Sequence, residues 1–259
     1  MKVYHTSTGM PYAFKRHLIG NDIGLLTKAG SPTAMMKATA QVLSDTLAYL
    51  GEDGYVPTAR DLEILLRTDL RLMLYTLIRD HEYGDIKEFL IKEQEVQGLD
   101  SDLTITLPAL GEEVEHTSGG TTVFPVVAVP KDDVGNDIKV STFAEWRTYA
   151  RNRVCGEYEL TPLLANTNIV IRSTSTILDV ISPCKVMRRQ QAPNGDTVYV
   201  SVDLAQIPGR DLSKLYNFVM AISGKIDTTI KLTEEDGVPQ PTTVDVMALE
   251  SFYMPSFPV

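Results

Sequence analysis

The chain has 259 residues, of which 43% are hydrophobic and 22% are charged, and its formal net charge is −10. This composition excludes a disordered chain and is sufficient for one large domain or two small ones. The acidic balance argues against a protein whose main task is to bind nucleic acid or an anionic membrane, because either task needs clustered Lys and Arg.

Cysteine content and the amino-terminal sequence bear on the cellular compartment. Cys155 and Cys184 are the only cysteines, so one chain cannot form a disulfide framework or a four-cysteine zinc site. The first residues lack the apolar run of a signal peptide, and no stretch approaches the roughly 18 consecutive apolar residues of a membrane span. We therefore expect a soluble protein that is made in the cytoplasm and keeps its thiols reduced.

The amino-terminal part of the chain is predicted to contain two helices and a β-hairpin. Ser31 and Pro32 are typical of an N-cap and the residue after it, and Gly51 ends the helix that they begin. The second helix begins at a capping box of Thr58 and Asp61. Its apolar residues cover so much of the circumference that we expect this helix to be buried on two sides. The predicted bounds are 31–50 and 58–83 for the helices, and 85–94 and 102–109 for the hairpin strands.

The middle of the chain is predicted to be mostly β-structure with one helix. Thr142 stands three residues before Glu145 in the pattern of a helix start, and the helix buries Phe143, Trp146 and Tyr149. Asn194-Gly195 predicts the tight turn of a hairpin. The helix is expected over 141–152 and strands over 122–129, 168–172 and 197–202, whereas 173–181 is ambiguous between strand and helix.

The carboxyl-terminal part repeats the order of a helix and a hairpin, with a helix over 211–224 and strands within 226–232 and 242–249. Ala59-Arg60-Asp61-Leu62 and Gly209-Arg210-Asp211-Leu212 open the two helices, which indicates either a duplicated unit or a chance likeness. We predict an α+β fold of helices packed with β-hairpins and small antiparallel sheets. Its regions are 1–110 (helices and first hairpin), 111–208 (mostly β with one helix) and 209–259 (second helix-plus-hairpin unit and aromatic tail).

The sequence contains near misses to enzyme motifs but no complete one. His81-Glu82 begins like the zinc-protease HExxH motif, yet Asp85 stands where the second histidine is required. The glycine-rich segment 118–121 lacks the lysine of a phosphate-binding loop. Pairs of acidic residues lie in turn-like contexts, where carboxylates are normally solvated. We therefore predict that the protein is not an enzyme and binds no cofactor or metal.

Two segments are candidate contact surfaces. The basic residues within 185–189 are interpreted as surface ion-pair or protein-contact residues rather than as a nucleic-acid site. The terminal segment 251–259 is aromatic, uncharged and punctuated by proline, so it either packs on its own domain or docks in a partner. The candidate partner-binding residues are Phe252, Tyr253, Met254 and Phe257.

Scattered sequence blocks carry a resemblance to a known family. They are Arg210-Asp211-Leu212, Gly224-Lys225-Ile226-Asp227 and 252–256 in the second unit, Asp61-Leu62, Leu65-Leu66, Leu77-Ile78-Arg79 and Tyr83-Gly84-Asp85 in the first, and 7–12 at the start. In these blocks the chain resembles contractile-tail bacteriophage proteins related to the T-even baseplate hub and baseplate assembly components. That family joins an RDL helix to a turn, a β-hairpin and a closing aromatic signature.

The resemblance implies a structural or assembly component of a contractile-tail baseplate, in its hub or wedge region. Its partners would be other tail or baseplate proteins, and it would bind neither nucleic acid nor a membrane. It would be made in the host cytoplasm and then be located in the virion. Family members often carry cysteine pairs at the hairpin tips, but the tips here, 95–101 and 233–241, have none, so no zinc is expected. The alternative is a soluble cytoplasmic enzyme or small-ligand-binding α+β protein without a recognisable motif.

Overall fold

The computed structural model confirms the α+β class, with helices and several small antiparallel sheets. The structure describes residues 1–30, 32–81, 83, 87–110, 112–115, 121–124, 136–153, 157–159, 169–173, 184–203, 205, 207–214, 226–232 and 242–253. No helix in these ranges is long and apolar enough to cross a membrane.

Short runs of strands and of helices follow one another along the chain. The helices are α1 (Gly20–Thr27), α2 (Pro32–Thr46), α3 (Ala59–Leu62), α4 (Arg67–His81), α5 (Phe143–Arg153), α6 (209–214 as described) and α7 (Glu250–Tyr253). The strands are β1 (Tyr4–His5), β2 (Pro11–Phe14), β3 (Leu47–Leu50), β4 (Glu88–Ile91), β5 (Leu103–Thr106), β6 (Glu113–Glu115), β7 (Thr121–Val123), β8 (Glu157–Glu159), β9 (Ile169–Ser173), β10 (Cys184–Gln191), β11 (Thr197–Ser201), β12 (Thr229–Leu232) and β13 (Thr242–Asp245). All strand pairs are antiparallel, in the sheets β1-β2-β3, β11-β10-β9-β8, β12-β13, β4-β5 and β6-β7.

One hydrophobic core joins the first and third of the predicted regions. Its buried side chains come from α2 and α4, from the hairpins β4–β5 and β12–β13, which we call the outer hairpins, and from α7. Phe143 and Trp146 of α5 also belong to it. Helix α4 lies at the centre, since Leu70 on one side and Leu72 and Tyr75 on the opposite side are all buried. This confirms the expectation that the second predicted helix is covered on more than one side.

The first predicted helix ends earlier than the sequence pattern indicated. Helix α2 stops at Thr46, and 47–50 form β3, which pairs with β2. The register shifts between Ala13 and Phe14, so the partners Leu50 and Leu47 are three residues apart on β3. This bulge buries both leucines completely, and their spacing therefore imitated a helical period.

The second predicted helix is broken into α3 and α4. The Thr58–Asp61 capping box is confirmed, because Thr58 Oγ1 accepts from the Asp61 amide and Asp61 accepts from the Thr58 amide. The backbone then turns over 63–66, and the indole Nε1 of Trp146 donates to the carbonyl of Ile64 at 3.1 Å. A tertiary hydrogen bond thus occupies a carbonyl that a continuous helix would have used.

Both outer hairpins and the central helix agree with their predictions. Strand β4 pairs with β5, and β12 pairs with β13. Helix α5 begins as expected, since the Glu145 amide donates to Thr142 Oγ1 and the Glu145 carboxylate accepts from the Ser141 and Thr142 amides. Of the remaining predictions, Ser31 and the segments 125–129, 174–181 and 215–224 lie outside the described residues.

Several elements were not predicted from the sequence. They are α1, the strands β1 and β2, and the short strands β6 and β8. Strand β10 is the partner that the predicted hairpin turn implies, and it includes the basic segment 185–189. Helix α1 has Ile19 at its N-cap, and its Asp22 carboxylate accepts from the Ile19 amide and from Arg16. The predicted turn at Asn194-Gly195 is present between β10 and β11, with Gly195 at a φ of 85°.

Candidate functional site

The carboxyl-terminal helix α7 is held inside a cluster of aromatic rings. The Phe252 ring is fully buried and lies 5.9 Å from the ring of Tyr75 in a parallel stack. It also contacts Phe89 edge-on at 6.0 Å and Tyr83 at 6.2 Å. We call these four residues, together with Tyr253, the aromatic cluster. Such buried ring pairs each add about 0.5–1.5 kcal/mol beyond the area they remove from water.

Hydrogen bonds fix the backbone of the same segment. The Tyr83 hydroxyl donates to the carbonyls of Ser251 and Phe252 at 3.1 and 2.9 Å. The Ser251 amide donates to the Glu95 carboxylate at 2.8 Å, and the Tyr253 hydroxyl donates to the Met247 carbonyl at 2.7 Å. Burial raises the pKa of Tyr253 to about 12, so this hydroxyl remains a donor over the physiological range.

The structure places two of the four predicted partner-binding residues in the chain's own core. Phe252 and Tyr253 are buried in the aromatic cluster, whereas Met254 and Phe257 lie outside the described residues. For the first two, this placement favours packing on the chain's own domain over docking in a partner.

A polar network joins α4 to the second hairpin. Arg71 donates to the Asp245 carboxylate at 3.0 Å and to Thr228 Oγ1 at 3.3 Å. Asp245 also accepts from Thr228 Oγ1 and from the Met247 amide. The two helix-plus-hairpin units therefore meet through both apolar and charged contacts.

Asp80, near the end of α4, binds side chains of the amino-terminal segment. Its carboxylate accepts from Lys2 Nζ and the Tyr4 hydroxyl at 2.7 Å and from Arg79 at 2.6 Å. Burial raises the pKa of Asp80, but these three donors more than offset it, and the pKa lies below its ordinary value. The site is a structural clamp for the first strand.

Asp69 is a fully buried carboxyl on the same helix. Its Oδ1 accepts from the Ser7 amide at 2.8 Å, while Oδ2 has no hydrogen-bond partner among the described residues. Burial raises the pKa of Asp69 to about 6, although the hydrogen bond from the Ser7 amide opposes the shift. The arrangement penalises ionisation at neutral pH.

The β10–β11 hairpin presents exposed apolar side chains on the sheet β11-β10-β9-β8, which we call the central sheet. Val198 and Val200 on β11 are 39% and 47% exposed. They pair across the hairpin with Gln190 and Arg188, both exposed, so the four residues share one face. The basic segment 185–189 therefore belongs to a strand, and Arg188 lies beside an apolar surface.

The residues of the near misses to enzyme motifs lie mostly outside the parts of the chain that the structure describes. His81 is the last residue of α4, and Cys184 begins β10, while Glu82, Asp85 and Cys155 fall outside the described ranges. Within the described residues, no three His, Cys, Asp or Glu side chains converge in a group that could hold a metal ion.

Three charged residues of α4 that make tertiary contacts, Asp69, Arg71 and Asp80, were not among the predicted site residues. Asp69 lies three residues after Leu66 and four before Met73, so a carboxyl within an apolar helical stripe was a signal that it is buried. Arg71 and Asp80 gave no comparable signal, because their partners are distant in sequence: Asp245 is 174 residues from Arg71, and Lys2 is 78 residues from Asp80.

Comparisons of the chain with protein-family models, with curated proteins and with solved structures found no match.

Proposed function

We propose that this protein is a structural or assembly component of a contractile phage-tail baseplate, in the hub or wedge region, and that it acts through protein–protein contacts. A helical core holds both outer hairpins, while the central sheet offers exposed strand surface to neighbouring subunits. Affinity in such assemblies comes from a few buried anchors within a polar rim.

One observation carries the proposal. Tyr83 and Phe252 belong to different blocks of the family pattern, yet the Tyr83 hydroxyl donates to the Phe252 carbonyl across 169 residues of sequence. Their rings also lie 6.2 Å apart. Blocks that resemble the family thus meet in space, which supports treating them as one pattern rather than as separate chance likenesses.

The acidic net charge fits a subunit that has to stay dispersed until it meets its partners. A formal charge of −10 produces repulsion between free copies and opposes non-specific association. The same charge gives no support for nucleic acid as the main partner.

The test is whether the protein is part of purified particles. We expect a tagged chain, expressed during infection, to remain with tails or baseplates through a density gradient in a fixed number of copies per particle, counted by quantitative mass spectrometry. A tagged cytoplasmic protein of similar size and charge, expressed at the same level, is the control. Absence from particles and from tail intermediates would refute the proposal, and a metabolite that raises the melting temperature of the purified chain would favour the alternative function.

A truncation separates folding from docking in the same assay. Ending the chain after Tyr253 keeps Phe252 and Tyr253, the two rings that α7 contributes to the aromatic cluster, and removes Met254 and Phe257. We expect the truncated protein to keep its melting temperature and to lose its place in the particle. Full incorporation would exclude these two residues as partner anchors.

A further inference from the structure

We propose that β11 is an interface with a second copy of this chain, in which two β11 strands pair antiparallel about a two-fold axis beside Tyr199. The central sheet of one copy would continue directly into that of the other. The inference names one contact surface for the proposed assembly role, but it depends on the hairpin geometry and not on membership of a phage particle.

The first argument is the character of β11 as a sheet edge. Among the strands that the structure describes, β11 is the outermost of the order β11-β10-β9-β8 and has β10 alone beside it. Natural edge strands are usually protected by Lys, by Pro or by a bulge. The segment Thr197-Val198-Tyr199-Val200-Ser201 has no charge and no proline, and its register with β10 is regular.

The second argument is self-complementarity. In an antiparallel pair centred on residue 199, Val198 of each copy faces Val200 of the other, and Thr197 faces Ser201. The sequence of β11 reads almost identically in both directions, so side chains of the same kind face each other when two copies meet about a two-fold axis. All four valines then lie on the same face and cover one another, which removes the exposed apolar surface that each copy has alone.

The third argument is charge complementarity. Arg188 lies on the face of the valines, paired with Val200, and Asp196 precedes β11. With ordinary strand spacing, the Cα atoms of Arg188 and of Asp196 in the second copy would lie about 12 Å apart. An extended arginine and an aspartate can bridge this distance, and the two-fold axis makes the ion pair twice. The acidic excess of the chain does not extend to this hairpin, where Lys185, Arg188 and Arg189 accompany Asp196.

The first experiment measures self-association by sedimentation velocity over a range of concentrations of the full chain. We expect a monomer–dimer equilibrium whose dissociation constant rises about tenfold or more in Val200→Lys, since this change puts two ammonium groups among the valines. Val56→Lys is the matched control, because Val56 is 58% exposed and lies outside the sheets. It should leave the dissociation constant unchanged. Circular dichroism identifies any variant that has lost its fold.

A second experiment tests the register. In a Cys155→Ser, Cys184→Ser background, Tyr199→Cys would place the two Cα atoms about 4.5–5.5 Å apart, within the range of a disulfide. Thr197→Cys on the same strand would place them about 14 Å apart and should not cross-link. We expect a covalent dimer on a non-reducing gel from the first variant alone.

The possible outcomes separate this proposal from the baseplate proposal. A chain that stays monomeric at high micromolar concentration, or a dimer indifferent to Val200→Lys and to the position of the cysteine, overturns the β11 contact. If the chain is monomeric while Val200→Lys prevents incorporation into particles, β11 binds a different protein, and only the second-copy proposal fails. If the dimer and its register are found for a chain that is absent from particles, the β11 contact is supported and the baseplate proposal fails.

Discussion

The surroundings of α7 and the β10–β11 hairpin differ in how their apolar side chains are covered. Phe252 is completely buried among rings from α4 and the first hairpin, and the neighbouring backbone carbonyls are hydrogen-bonded. Val198 and Val200 are apolar as well, yet large parts of both side chains remain in contact with water. The apolar side chains around α7 are covered within the chain, whereas those of β11 are exposed to solvent and available to another molecule.

This difference separates stability from recognition. Burial contributes roughly 25 cal/mol for each Å² of apolar surface, so the aromatic cluster stabilises the isolated chain whether or not a partner is present. The exposed valines contribute little until something covers them. Substitutions in the two regions should therefore have different consequences.

The largest effect is expected at the centre of the aromatic cluster. Phe252→Ala should lower the free energy of unfolding by about 3–5 kcal/mol, because it removes buried surface and leaves a cavity among Tyr75, Tyr83 and Phe89. Urea denaturation of the isolated chain measures this loss. Val56→Ala, at an exposed site, should change the free energy by less than about 0.5 kcal/mol. A loss below about 1 kcal/mol in Phe252→Ala would contradict the packing of α7 described here.

Sequence patterns predicted these two regions unequally, for physical reasons. The Thr58–Asp61 and Thr142–Glu145 caps, the outer hairpins and the Asn194-Gly195 turn were predictable, because local hydrogen bonding and backbone geometry determine them. The prediction of helix at Leu47 and Leu50 was wrong, because a bulge gave two buried residues of a strand the spacing of a helix. The burial of Phe252 depends on rings far away in sequence, so the composition of 251–259 left both packing and docking open.

The second largest effect is expected at Asp69, whose carboxyl is buried. The pKa of Asp69, about 6, lies above its ordinary value, so the native state holds this proton more tightly than the unfolded state does. The stability that the protonated carboxyl contributes is complete below about pH 4 and is lost as the pH rises through 6. Asp69→Asn keeps an acceptor for the Ser7 amide and should raise the free energy of unfolding at pH 7.5 by up to about 3 kcal/mol.

The dependence on pH is the decisive part of that prediction. Urea denaturation at pH 4.5 and pH 7.5 should show a much larger advantage of Asp69→Asn at the higher pH. Asp100→Asn, which changes an exposed carboxyl, should differ from the unmodified chain by the same small amount at both pH values. If the difference in free energy of unfolding between Asp69→Asn and the unmodified chain did not vary with pH, ionisation of the buried carboxyl would not destabilise the native state.

The smallest effect is expected for the same substitution, valine to threonine, at a buried and at an exposed hairpin strand. Val244 on β13 is buried opposite Ile230, whereas Val200 on β11 is exposed opposite Arg188. Val244→Thr puts a hydroxyl into the core and should cost the isolated chain about 1–3 kcal/mol. Val200→Thr should cost less than about 0.5 kcal/mol at dilutions where the chain is monomeric, because this side chain is already hydrated. If Val200→Thr destabilised the monomer as much as Val244→Thr, the valines of β11 would be covered within the chain itself. The contrast between the two regions would then disappear, and with it the reason for β11 to bind a second copy.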